Sequence, residues 1–222
     1  MTVVVVGHEK GGVGKTRLAT QLAVLAASMD VDTVLLDTDI QGTAMEWGEI
    51  RKAEGIEPRV SVLSISSNPT REVEDLSRRY QLVVVDIGAQ NYATMIRCAV
   101  IANLVLVPVG NDQGELSSTI KVFRELRSKD AFHPSGKIPA HAILMRVSPR
   151  EDAKDTQELR ELLAEMKIPV MRSQIAYRSS WKAAGKSGRA LHELRSSERS
   201  YKATAEIQAV YDEILELTGS EE

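Results

Sequence analysis

The chain has 222 residues, 43% of them hydrophobic and 27% charged, with a formal net charge of -3. That length and balance exclude an intrinsically disordered protein and allow one well-buried core. The small negative charge excludes a global attraction to nucleic acid or anionic lipid, so any such binding must come from a local patch.

The first apolar run, Thr2 to Val6, predicts a strand and is far too short for a secretion signal or a membrane span. No later segment qualifies as a span. Cys98 is the only cysteine, so no disulfide framework or Cys-based metal site is available within one chain, and a reducing cytoplasm is expected. Gly7 to Thr16 then read G-H-E-K-G-G-V-G-K-T, and Arg17 to Met29 show helical spacing with Leu18, Leu22, Leu25 and Met29 on one face. Further β-branched runs follow at Thr33 to Leu36, Val60 to Ile65, Leu82 to Val85, Leu104 to Val109 and Ala142 to Val147. Helical patterns occupy Leu116 to Leu126 and Thr156 to Met166. A closing helix at about 198–217 carries Ile207, Val210, Ile214 and Leu217 on one side. The strand runs are continuous rather than alternating, as expected of strands buried on both faces. Strand and helix alternating along the chain predict an α/β fold with about seven strands, mostly parallel, joined by right-handed crossovers and flanked by helices on both faces. With no repeat, low-complexity tract or long linker, residues 1–222 are expected to form a single domain.

The glycine-rich segment follows a strand and opens a helix, the context of a P-loop. Gly11, Gly12 and Gly14 let backbone N–H groups turn toward phosphate oxygens, with Val13 between them. The helix beginning near Arg17 adds its dipole and unpaired N–H groups. Lys15 is expected to reach the β- and γ-phosphates, and the Thr16 hydroxyl to ligate Mg²⁺. A glycine-rich turn without a ligand is the competing reading. Two further strands end in acidic residues: Leu36 leads into Asp37-Thr38-Asp39-Ile40-Gln41-Gly42, and Val85 into Asp86. Carboxylates at strand C-termini lie in the crevice where open α/β sheets bind ligands. Asp86 has the Walker B form, expected to hold Mg²⁺. The first pair also suits an ordinary turn. The four histidines (His8, His133, His141, His192) have no metal-like spacing and read as surface or loop residues.

Lys10, directly before the glycines, makes the segment K-G-G-V-G-K-T, which resembles the deviant Walker A ATPases: the ParA and MinD proteins, the nitrogenase iron protein and their relatives. The resemblance implies a single-domain P-loop NTPase that hydrolyses ATP to ADP and phosphate slowly and under partner stimulation. It implies a homodimer with ATP sandwiched at the interface, where Lys10 reaches the other subunit's nucleotide. By the same resemblance Asp39 orients the attacking water, Asp37 supports the magnesium shell, and Met145-Arg146 stand where the family contacts adenine, with Arg146 in place of the usual asparagine. ATP is expected over GTP because no Asn-Lys-x-Asp segment appears. After Asp86, Ile87-Gly88-Ala89-Gln90-Asn91 depart from the Asp-Thr-Pro-Pro of chromosomal ParA proteins. Leu104 to Val109 with Pro108, and the stretch from Ile168 through Leu194, follow the ParA pattern of a strand, an arginine-bearing loop and a short helix.

From Arg172 to Lys202 eight basic residues (Arg172, Arg178, Lys182, Lys186, Arg189, Arg195, Arg199, Lys202) face two acidic ones, Glu193 and Glu198, a local excess of +6. Tyr177 and Trp181 sit among them. Such a patch either neutralises DNA phosphates without reading sequence or is a solvated basic face. ParA relatives bind nonspecific DNA through about this region. The expectation is therefore a cytoplasmic, nucleoid-associated partition or positioning ATPase working with a ParB-like adaptor. The alternatives are a MinD-like membrane switch, a cluster-carrying ATPase resembling the nitrogenase iron protein, and a metabolic ATP-dependent enzyme on the same fold. The acidic end, running Ala209 to Leu217 and finishing Gly219-Ser220-Glu221-Glu222, would be repelled by an anionic membrane. One cysteine per chain falls short of a cluster.

Overall fold

The computed structural model describes residues 1–64, 69–150 and 153–219. Seven strands form one sheet: β1 (Thr2–Val6), β2 (Thr33–Asp37), β3 (Ser61–Ser64), β4 (Leu82–Asp86), β5 (Leu104–Val109), β6 (Ala140–Val147) and β7 (Val170–Ala176). Their spatial order is β3-β2-β4-β1-β5-β6-β7, and every pairing is parallel. The chain leaves β1 toward β2 on one side, and later crosses from β4 over β1 to β5 on the other. That reversal opens a crevice at the C-terminal ends of β1, β2 and β4, where such sheets bind ligands.

The helices are α1 (Lys15–Ala27), α2 (Thr43–Ala53), α3 (Pro69–Ser77), α4 (Tyr92–Ala99), α5 (Gln113–Ser128), α6 (Lys154–Glu165), α7 (Ser180–Ser187) and α8 (Tyr201–Thr218). Alternate residues of each central strand supply two cores. Val3 and Val5 join Val73, Met95, Val122 and Leu159 from α3 to α6 on one face. Val4 and Val6 join Leu18, Ala44, Trp181 and Ile207 from α1, α2, α7 and α8 on the other. Every residue of β1, β2, β4 and β5 is buried, as their continuous apolar runs require.

Some boundaries move for local reasons. Helix α1 starts two residues before Arg17, because Gly14 at φ 103° turns the chain directly into it. It ends at Ala27, which leaves Met29 45% exposed beyond the helix. Strand β3 is shorter than the run from Val60, and largely exposed, since it closes an edge of the sheet; Ile65 lies outside the described residues. Helices α2, α3 and α4 lie outside the helical segments expected from the sequence, although α3 and α4 are amphipathic.

One buried ion pair ties α2 to the C-terminal third. The Arg51 guanidinium, 2% exposed, donates to both Glu193 oxygens at 2.7 Å, to the Pro58 carbonyl at 3.0 and 2.8 Å and to the Gly188 carbonyl at 3.1 Å. All five of its N–H groups are thereby used. Glu193→Ala would leave that guanidinium buried without a counter-charge, and a loss of about 3–5 kcal/mol in urea unfolding is expected.

Candidate functional site

The crevice is built from three strand ends and the loop after β1. Gly12 (φ 78°) and Gly14 (φ 103°) hold left-handed backbone that L side chains resist. Those two turns wrap the loop over the start of α1, whose first N–H groups have no partner within the helix. Val13 is fully buried and pins the loop to the core. Lys15, 7% exposed, bends back so that its Nζ donates to the Lys10 carbonyl at 2.7 Å. Burial lowers its pKa, and the carboxylates of Asp86 and Asp39 work against that. Thr16 stands beside it, half-buried, and Arg17 is exposed.

Asp37 and Asp86 are direct neighbours in the sheet register, as are Val6 and Asp86. Their environments differ. The Asp37 carboxylate accepts three backbone N–H bonds, from Asp39 at 2.9 Å, Ala44 at 2.9 Å and Met45 at 3.0 Å. It therefore anchors the Asp39 loop and caps α2, and toward a cation it offers charge more than a free lone pair. Asp86 is 1% exposed, and neither of its oxygens has a partner in full hydrogen-bond geometry among the described residues, although the Thr16 hydroxyl stands close enough to act on it. Burial pushes its pKa up to about 7; the Thr16 hydroxyl and the Lys15 ammonium pull it down, and Asp37 and Asp39 push it further up. A buried carboxylate left bare costs several kcal/mol unless something positive or proton-donating meets it. The donor set of Thr16 hydroxyl and bare Asp86 carboxylate, beside a phosphate cradle, fits a hard divalent cation.

Asp39 is half-buried, with Oδ1 accepting the Gln41 N–H at 3.0 Å. Thr38, which sequence reasoning passed over, links the two carboxylate loops. Its N–H donates to the Asp86 carbonyl at 3.0 Å, its hydroxyl accepts the Gly88 N–H at 2.9 Å, and its carbonyl accepts from the Asn91 side chain. Three hydrogen bonds thus tie the Asp39 loop to the 86–91 segment. No spacing rule marks a threonine for that task.

Arg146, next to last in β6, has left-handed backbone (φ 57°), a conformation asparagine tolerates better than arginine. Its guanidinium pairs with Glu115 of α5, whose other oxygen accepts the Gly110 N–H at 2.8 Å. Arg146 also lines a cavity beside the phosphate loop, together with Gly14, Arg17, Met145, Tyr177 and Trp181. The loop and a second concave surface adjoin there, as a phosphate-bearing ligand with a flat group requires.

Several expectations need correction. His8 is no surface residue: it is 1% exposed at the foot of the loop. His141 lies within strand β6 rather than in a loop. Trp181, 5% exposed, belongs to the core, whereas Tyr177 is 71% exposed. The basic segment is less positive in space than in sequence, because α8 packs carboxylates against it. Arg172 pairs with Glu213 and Glu216, and Arg178 with Glu206 at 2.5 Å. Lys182, Lys186, Arg189, Arg195, Arg199 and Lys202 form no ion pair among the described residues. Of the α8 face expected to carry Ile207, Val210, Ile214 and Leu217, the first three are spent on the core and are not free for a membrane surface, while Leu217 is 40% exposed; residues 220–222 of the acidic end lie outside the described residues. No helix among the described residues is long and apolar enough to cross a membrane.

Comparison with known proteins agrees with this geometry. Residues 4–191 match the family described as CbiA, the CobQ/CobB/MinD/ParA nucleotide binding domain. The chain is 33% identical over 187 residues to the maintenance of carboxysome distribution protein A of Gloeobacter kilaueensis, covering 82% of this chain and 80% of that protein. It is 25% identical over 208 residues to protein ParA of Rhizobium radiobacter, covering 93% and 92%. Its fold superposes on a variant of Cyanothece McdA in complex with ATP with a TM-score of 0.73 at 15% identity, over 100% of this chain and 98% of that one. The chain therefore belongs to the CobQ/CobB/MinD/ParA family of nucleotide-binding domains.

Proposed function

We propose that this chain is an ATP-driven switch of the ParA type. It binds ATP with Mg²⁺, pairs with a second copy across the nucleotide, and in that state attaches to nonspecific DNA. An adaptor protein then stimulates slow hydrolysis and release, so that a plasmid, chromosome or other large cargo is positioned on the nucleoid. The observation that carries the reading is Asp86, a carboxylate buried bare beside Thr16 and Lys15 at the mouth of a phosphate cradle. Thr16 and Asp86 would hold the cation, with Asp37 adding charge behind them, and its chemistry there is neutralisation of phosphate oxygens. Lys15 exchanges the Lys10 carbonyl for phosphate oxygens. Gly11 through Thr16 supply backbone N–H groups, and Arg17 flanks them. Asp39 orients the water, and its tether to Gln41 keeps one oxygen of its carboxylate occupied. The cavity between Gly14 and Arg146 takes the base. Lys10 acts on the partner's nucleotide.

For DNA the reading rests on the six basic residues without ion pairs. The carboxylates of α8 neutralise part of the charge of Arg172 and Arg178, so those two are expected to contribute less to DNA binding than the six. Sedimentation of Asp39→Ala with nonspecific duplex DNA, with and without ATP, at two salt concentrations tests the scheme. The expected result is an ATP-dependent dimer that travels with DNA at low salt and leaves it at higher salt, as counterion release demands. A dimer that ignores DNA at low salt overturns the DNA step and favours a membrane or protein scaffold. A chain that stays monomeric with ATP overturns the switch and favours a metabolic enzyme.

A further inference from the structure

We infer that His8 is a positioning residue for Lys10, one that fixes the lysine's peptide so that its side chain can meet the nucleotide of a second copy of the chain. The inference rests on the cross-subunit role proposed above for Lys10.

The two ring nitrogens of His8 have separate duties. Nδ1 accepts the Lys10 N–H at 2.9 Å. Nε2 lies 3.1 Å from the Thr119 hydroxyl on α5. That hydroxyl has one proton, and it donates it to the Glu115 carbonyl at 2.8 Å. The Thr119 oxygen is therefore an acceptor toward the ring, Nε2 carries the ring proton, and Nδ1 is left as the acceptor for Lys10. One tautomer satisfies every partner: the Lys10 N–H requires an acceptor at Nδ1, and the Thr119 oxygen on α5 accepts from Nε2. The ring stays neutral because burial, helped by the nearby Lys15 ammonium, holds its pKa down to about 4.

Both polar groups of the Lys10 backbone are thus held, but differently. The carbonyl is held by Lys15 Nζ, the group that must leave when phosphate arrives. The N–H is held by His8, for which no ligand competes. When a nucleotide releases the first bond, the second keeps the peptide in place. The same helix supports the rest of the segment. Glu9 pairs with Lys121 of α5 at 2.6 Å, and the Lys10 ammonium rests over Gly114 in the first turn of α5, where a Cβ would collide with it.

The test separates the two nitrogens. His8→Asn places an acceptor near Nδ1 and abandons Thr119, whereas His8→Gln reaches toward Thr119 and abandons Lys10. Each is made with and without Lys10→Ala. ATP-dependent dimerisation is followed by sedimentation, and ATP affinity of the monomer by calorimetry. His8→Asn is expected to dimerise within about threefold of the unaltered chain, and His8→Gln to lose on the order of tenfold, the size of one buried hydrogen bond. The loss is expected in dimerisation and not in monomer affinity, and to add nothing in the Lys10→Ala background. Should His8→Gln fail to fold, Thr119→Val tests the same link, since Nε2–H then loses its acceptor and the ring its anchor on α5; an unchanged dimer there overturns the inference. Equal effects of His8→Asn and His8→Gln, or a further loss on top of Lys10→Ala, also overturn it. Lys10→Ala dimerising normally overturns the reading of Lys10 and this inference together. Loss in Lys10→Ala with a normal dimer in His8→Gln overturns this inference alone.

Discussion

Replacing Lys15 by alanine is expected to weaken nucleotide binding by roughly 10²- to 10³-fold while leaving the fold in place. The ammonium sits 7% exposed in the cradle, where charge-assisted bonds to two phosphates are worth about 3–4 kcal/mol together. Its hydrogen-bond partner among the described residues is the Lys10 carbonyl, so the free protein loses one hydrogen bond and is relieved of one desolvated charge. Those two changes oppose each other, and the unfolding midpoint without nucleotide is expected to move little. Arginine is no substitute, because its planar fork cannot occupy the space of a compact ammonium inside the loop. Calorimetric titration with ATP and Mg²⁺, set beside thermal unfolding, reads both quantities. Binding retained within tenfold would mean that the cleft is not a phosphate site. A collapse of the unfolding midpoint would mean that Lys15 holds the fold and not the ligand.

Asp86→Asn is expected to abolish the response to Mg²⁺ and to change how stability depends on pH. In the folded chain the Asp86 pKa is raised from 3.8 to about 7. The folded state therefore binds this proton more tightly than the unfolded one. Stability falls as pH rises from about 4 to 7, and the whole penalty, at most about 4 kcal/mol, is present above pH 7. His8 runs the other way, because its pKa is lowered from 6.5 to about 4. Its contribution is present above pH 6.5 and is lost as pH falls toward 4. The two slopes partly cancel between pH 4 and 6.5 in the unaltered chain, so the difference between the two proteins is the informative quantity. Thermal unfolding from pH 4 to 8 without nucleotide is expected to show the asparagine variant gaining relative to the unaltered chain as pH rises. Adding ATP with Mg²⁺ at pH 7.5 reverses the order, because the cation relieves the carboxylate and has nothing comparable to bind in the variant. A constant difference across the pH range would mean that Asp86 already has a partner in the folded chain.

The contrast between Asp37 and Asp86 shows how far a sequence reading reaches. Both end apolar strands, and both were legible as crevice carboxylates from that position alone. Their division of labour was not, since it depends on where the N-terminus of α2 falls. That helix presents the Ala44 and Met45 N–H groups to Asp37 and none to Asp86. The basic segment failed in the same way. A count along the chain sees Arg172 and Arg178 as free charge, while Glu206, Glu213 and Glu216 arrive from a helix that lies up to 44 residues downstream. Trp181 likewise reads as an exposed aromatic among lysines until α7 is laid on the sheet.

The sequence by itself determined the strand-helix alternation, the parallel sheet, the phosphate loop from Gly7 to Thr16 and the acidic strand ends. Each of these is written in short windows, through hydrophobic period, glycine spacing and the residue that closes a strand. Tertiary structure alone decided that His8 is buried between the loop and α5, that Thr38 joins two loops, that Arg51 holds Glu193 and that only part of the basic segment is unpaired. Those outcomes depend on pairings between residues as much as 142 positions apart, where burial turns an ordinary polar side chain into one with a single allowed partner.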